Sequence, residues 1–315
     1  MNSNVNESIC NRGNTKIPSK IEFNEEKDKI RIVLDGEKIQ VENMQKDYNA
    51  FEGWAIAAHI CTKGHVVLDI DQERKFKYDE YIGNGHLCRF LYRIMKFRKQ
   101  YGKWFELSQY LQTEVDKFEK YLKSGKFVNN IGSKDAGNKG KKDDENAIEE
   151  KLAATGVLKR VIKCIDIGNG EVHRQLPVGL FAEEIKRDNT VFTGGNSAID
   201  LWTIKDDEIN IVELKTKNKM IGIITEIFFY SNYIYDLVRE DGLFQSSQIS
   251  NPKDNLRGYE EIVNSELKQI NGIMLADDNN YHPWVCDESL AILNDNGNPN
   301  LNYFLETYSL DNLIG

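Results

Sequence analysis

AIDLWTIKDDEINIVELKTK, residues 198–217, is the stretch whose reading decides the fold. Residues 198–204 are a largely apolar strand interrupted by one acid, Asp200. Lys205, Asp206, Asp207 and Glu208 make a charged turn, and residues 210–214 form a second apolar strand. That strand ends in Glu213-Leu214-Lys215. Successive side chains of a strand point to opposite faces, so Glu213 and Lys215 share one face while Leu214 points into the core. Folding the hairpin back brings Asp200 beside Glu213. Two neighbouring carboxylates repel, and a bound cation relieves the repulsion. Oxygen ligands with waters left over suit Mg2+, with Mn2+ as a substitute. Such an ion polarises a phosphoryl oxygen and lowers the pKa of a bound water. The Lys215 ammonium orients that water or offsets charge on the transition state.

The same spacing also fits a solvent-facing hairpin with a surface ion pair worth ~0–1 kcal/mol. The neighbours argue for the buried alternative. Asp200 lies among Ala198, Ile199, Leu201 and Trp202, and Glu213 among Ile211, Val212 and Leu214. An acid so enclosed is costly without a partner.

The elements around the hairpin have an order of their own. Residues 144–156 read as a helix with Ile148, Leu152 and Ala153 on one face. Residues 162–167 with 172–180 read as a strand or hairpin. The two strands of the acids follow, then a helix over 222–240 and an apolar strand over 270–276. In that order, and with Asp200 and Glu213-Leu214-Lys215 on consecutive strands, residues 144–276 resemble the core of the PD-(D/E)XK nuclease superfamily. Restriction enzymes, Holliday-junction resolvases and recombination exonucleases belong to it.

The resemblance implies an α/β fold, with a restriction-endonuclease-like mixed sheet flanked by helices. It implies a divalent metal on Asp200, Glu213 and the Leu214 carbonyl, with Lys215 beside it. A first-helix glutamate would complete the site. Glu145 precedes Ile148, Leu152 and Gly156 at the spacing of some resolvases, and Glu149 stands one turn further on the same face. Glu226 and Tyr230 occupy the places of a glutamine and a tyrosine found in exonuclease-like members, with Glu for Gln a departure. Ile199 replaces the proline that usually precedes the first acid.

The chain has 315 residues, 40% hydrophobic and 29% charged, which suits globular cores in two domains. The expected division is an unstructured stretch over 1–20, a smaller α+β domain over 21–123, a linker over 124–143 and the nuclease-like domain over 144–315. In the smaller domain the pattern predicts a hairpin over 29–41 turning at Asp35-Gly36, a helix over 51–61, a strand over 66–70, and helices over 85–101 and 104–123. DNA recognition, partner sensing or homodimer formation are the roles open to it. Five scattered cysteines without CxxC spacing point to reduced thiols and a cytoplasmic setting.

A net charge of −9 is unfavourable for a nucleic-acid binder unless a local patch provides the contacts. HLCRFLYRIMKFRKQY, residues 86–101, contains no acid. As a helix it sets Arg89, Arg93, Lys96 and Lys99 in one stripe opposite Phe90, Ile94, Phe97 and Tyr101, a face suited to a phosphate backbone. A second basic run, Lys139 to Lys142, lies in the linker. The expectation is a metal-dependent nuclease acting on DNA, with RNA as an alternative substrate. A non-catalytic nucleic-acid-binding or protein-interaction module on the same fold is the competing expectation.

Overall fold

The computed structural model describes residues 4–129, 144–192, 197–216, 219–244, 257–277, 281–309 and 313. The chain divides into two units. One comprises Met1–Ser124, Lys219–Glu226 and Tyr281–Asn298, the other Gly125–Asn218, Ile227–Asn280 and Pro299–Gly315. The second unit is therefore not the unbroken stretch 144–315 expected from the sequence. Among the described residues no helix is long and apolar enough to cross a membrane, and all five cysteines are free.

In the first unit α1 (Val5–Asn11) is capped by the Asn4 side chain and buries Val5 and Ile9. The expectation of an unstructured stretch over 1–20 is thereby corrected. Strands β1 (Ile21–Glu26) and β2 (Lys29–Leu34) form an antiparallel hairpin that buries Ile21, Phe23, Ile30, Ile32 and Leu34. The turn falls at Lys27-Asp28, not at Asp35-Gly36. Asp35 instead accepts the Lys38 N–H at 3.2 Å and starts α2 (Gly36–Val41), since a short acidic side chain caps a helix start well. Helix α3 (Phe51–Thr62) ends at Lys63, which is left-handed at φ 54°. Then come β3 (His65–Ile70), α4 (Gly85–Tyr101), β4 (Phe105–Leu107) and α5 (Gln109–Ser124). The sheet order is β1-β2-β3-β4, with β3 parallel to both β2 and β4. Phe51 packs against Phe90, Phe97 and Phe105 at centroid distances of 5.6, 5.5 and 6.0 Å.

Helix α4 overturns the phosphate-tracking stripe. Arg89, Arg93 and Lys96 are buried, and only Lys99 of the four is exposed. Arg93 Nε and Nη2 donate to the two oxygens of Glu52 at 2.7 and 2.8 Å, and Nη2 also donates to the Asn49 carbonyl at 2.6 Å. Thr225 Oγ1 donates to Glu52 at 2.8 Å. The periodicity was readable, but the helix is enclosed on nearly every side, and the charge is answered by Glu52 on α3.

The second unit holds β5 (Phe127–Asn129), α6 (Asp144–Ala153), α7 (Val157–Val161), β6 (His173–Pro177), β7 (Leu180–Ala182), β8 (Ala198–Lys205) and β9 (Glu208–Lys215). After them come α8 (Gly222–Val238), α9 (Tyr259–Asn264), β10 (Gln269–Asp277) and β11 (Leu301–Tyr308). Residues 222–226 of α8 fall in the first unit. Left-handed Gly156 (φ 73°) separates α6 from α7, where one helix over 144–156 was expected. No strand forms over 162–167; Ile162 and Ile167 go into the core instead. The main sheet runs β11-β10-β9-β8-β6. Strand β8 is antiparallel to both of its neighbours, β6 and β9, whereas β9, β10 and β11 are parallel. A core of Ile148, Leu152, Leu158, Leu201, Val212, Leu214, Ile273 and Leu275 joins α6 and α7 to this sheet. The Lys139–Lys142 run lies outside the described residues.

Removing the Arg93 guanidinium strands Glu52 as a buried charge, which typically costs 3–5 kcal/mol. Arg93→Ala is expected to lower the thermal midpoint sharply. A variant that melts like the parent but binds nucleic acid less tightly would return Arg93 to the surface reading.

Candidate active site

The β8–β9 ladder pairs Lys205 with Glu208 through Leu201 with Val212. Asp206 closes the charged turn in the left-handed region at φ 55°. At the other end the main-chain pairing stops, and a side chain takes over. Asp200 Oδ2 accepts the Leu214 N–H at 2.9 Å. The strands thus part at the acid, and the carboxylate stands where a strand carbonyl would otherwise be. One residue either side of Leu214, Lys215 Nζ donates to Glu213 Oε1 at 2.8 Å, and both side chains are buried. Leu214 itself lies in the core with Ile148 and Leu152.

Helix α6 supplies the third acid. Glu149 is buried, and its Oε2 accepts Gln175 Nε2 at 2.9 Å and Arg174 Nη2 at 3.3 Å. The same Gln175 Nε2 lies 3.4 Å from Asp200 Oδ1, so one amide joins the two carboxylates. Glu149, one of the two first-helix candidates, enters this cluster by hydrogen bonding. Glu145, a turn earlier, acts on Asp200 through its charge.

Burial pushes the Asp200 carboxyl up to about 8. The Lys215 ammonium opposes the rise, the Glu149 charge adds to it, the Leu214 N–H opposes it, and Glu145 adds a little more. Burial thus works against a negative charge on Asp200, and a cation held beside it would favour the ionised form.

Gln175 was not found from the sequence. It sits in β6 between the pairs Arg174–Leu201 and Leu176–Ile199, opposite Asp200. Its φ is 54°, a left-handed residue inside a strand, and its carbonyl accepts from Arg257 Nη1. Such backbone costs of order 1–3 kcal/mol in a non-glycine residue and persists only where the surroundings hold it. Arg257 and the Gln175 amide do that holding. Nothing in HRQLP announces it, because glutamine carries no preference for the left-handed region. Glu226 and Tyr230 are both buried on α8, with Glu226 among the residues of the first unit. Arg89, Arg93, Lys96 and Lys99 also belong to that unit.

The backbone at Gln175 is open to a direct check. Gln175→Gly and Gln175→Ala both delete the amide, but only glycine fits φ 54° freely. The glycine variant is expected to be more stable by about 1 kcal/mol in urea titration. The opposite ranking would remove the left-handed turn from the strand.

No family model, no curated protein and no solved structure matches this chain in the comparisons with known proteins.

Proposed function

We propose that the second unit is a metal-dependent nuclease that hydrolyses phosphodiester bonds in DNA, on a restriction-endonuclease-like fold. The observation that carries this reading is the buried Asp200 carboxyl. It is tied by one amide to Glu149, bonded to the Leu214 N–H, and placed beside the Glu213–Lys215 pair. The element order supports it as well. Helix α6 precedes three antiparallel strands, and α8 leads to β10, which lies parallel to β9.

The residues fit a hard divalent cation. Asp200, Glu213 and Glu149 offer carboxylate oxygens, and the burial that raises Asp200 penalises negative charge left unanswered. These three would hold the ion, with the Leu214 carbonyl as a further oxygen. Bound there, Mg2+ or Mn2+ supplies positive charge to a phosphoryl oxygen and acidifies a water. Glu149 and Asp200 are held in place by Gln175, so the donors are set before the ion arrives. Lys215 carries its charge on the same strand face as Glu213 and offsets the charge that builds on the phosphoryl oxygens.

Purified protein is expected to cut single-stranded, double-stranded or supercoiled DNA with Mg2+ or Mn2+ and not with chelator. Asp200→Ala and Glu213→Ala should each lower the rate by at least about 10²-fold, the scale on which single electrostatic stabilisers act. Cleavage of RNA alone would reassign the substrate. Absence of cleavage of either polymer leaves the non-catalytic binding module in place of the nuclease.

Metal affinity should also depend on pH in a stated direction. A carboxyl raised to about 8 is mostly protonated at pH 7, so binding the ion releases a proton. Below about pH 8 the affinity for Mn2+ should climb by up to about tenfold per pH unit, then level off. Calorimetry in buffers of different ionisation enthalpy reads the proton directly. A flat profile between pH 6 and 8 would show that Asp200 is already ionised without metal.

A further inference from the structure

A second group of metal-ligating side chains lies outside the Asp200 cluster. Glu171 stands two residues before His173, the first residue of β6, and Glu261 is on α9. One ligand atom from each of the three lies within 4.8 Å of the others. His173 Nε2 is 3.1 Å from Glu261 Oε1. Two donors sharing one ion at about 2.0–2.1 Å lie roughly 3 Å apart when they subtend a near-tetrahedral or right angle. The imidazole and the Glu261 carboxylate are thus already at the separation of neighbouring ligands.

The imidazole is held rigidly. It stacks on Trp202, with ring centroids 4.4 Å apart and planes at 27°. On another side Gly258 comes so close that a Cβ there would meet the ring at 2.5 Å. Gly258 is left-handed at φ 72° and immediately precedes α9, so its missing side chain lets the helix bring Glu261 to His173. The two glutamates are exposed and supply the adjustable part of the group. Among the described residues, the Glu261 side chain has only His173 as a polar partner, and the Glu171 side chain has none. Neither carboxylate is answered by a lysine or arginine among those residues. The charge left over is what a divalent cation neutralises.

We infer that Glu171, His173 and Glu261 form a binding site for a borderline divalent transition metal of the zinc class. An imidazole nitrogen with two carboxylates selects such ions over Mg2+ and Ca2+, which prefer oxygen donors throughout. Three protein ligands leave a fourth position to water or to a ligand atom from outside. The assignment is independent of the Asp200 site and of the nuclease reading.

The test is a Zn2+ titration of the full chain, without an affinity tag, by calorimetry, with Co2+ absorption as a second readout. The parent should take up one Zn2+ that millimolar Mg2+ does not displace. Asp200→Ala/Glu213→Ala should keep that uptake. Glu261→Gln and Glu171→Gln alter exposed side chains with little change in shape, and each should weaken Zn2+ binding by at least about tenfold. His173→Ala should abolish it, with circular dichroism confirming that the chain stays folded. Failure of the parent to bind Zn2+ overturns the site. So does undiminished binding in both glutamine variants, or loss of the uptake in Asp200→Ala/Glu213→Ala alone.

Discussion

The candidate site depends on one hydrogen bond, from the Leu214 N–H to Asp200 Oδ2. A sheet that opens between two of its own strands leaves backbone donors without partners, and burying such a donor costs about 1–3 kcal/mol. Here β9 stays paired along its length with β10, from Glu208–Gln269 to Lys215–Ala276. Strand β8 stays paired with β6 at Ala198 and Ile199. The opening is therefore confined to the β8–β9 seam, and the carboxylate that fills it sits at the site itself. The same contact satisfies the backbone and fixes the direction of the acid.

That arrangement is poor as a device for stability. Asp200 and Glu149 are two acids in a buried setting, joined by a neutral amide, with Lys215 and Arg174 beside them. Apolar side chains of similar volume would serve the core better. The left-handed backbone at Gln175 adds a further cost in the same place. Strain and unfavourable charge gathered at one point of an otherwise apolar sheet are expected where a protein binds a counter-ion or a substrate.

The site was partly legible. Asp200, Glu213 and Lys215 could be located because strand alternation has a fixed period and a charged turn marks the hairpin. Their enclosure by Trp202, Val212 and Leu214 was visible in the same letters. Gln175 was invisible, since its role rests on backbone conformation and on Arg257, far away in sequence. The stripe on α4 was misread for a different reason. Periodicity tells which residues share a face but not what covers it, and the partner of Arg93 is Glu52, forty-one positions earlier. Asp35 shows the same limit at short range. It is as good a helix cap as a turn residue, and the local sequence does not choose between the two.

The inward turn of α4 changes how a polyanion would be received. With Arg89, Arg93 and Lys96 buried, the net charge of −9 is not relieved by a basic face on that helix. Three cations of the second unit stand at the acid cluster instead. Arg174 reaches Glu149 and the Asn146 carbonyl, Arg257 reaches the Gln175 carbonyl, and Lys215 reaches Glu213. Each of them touches a group of the acid cluster or the residue that positions it. These three cations stand where, under the proposed function, a phosphodiester would be bound, and the acids between them are the groups a metal ion would neutralise. Attraction of this kind is local and short in range at physiological ionic strength, so under the proposed function recognition of the polymer would be tied to the site that would cut it.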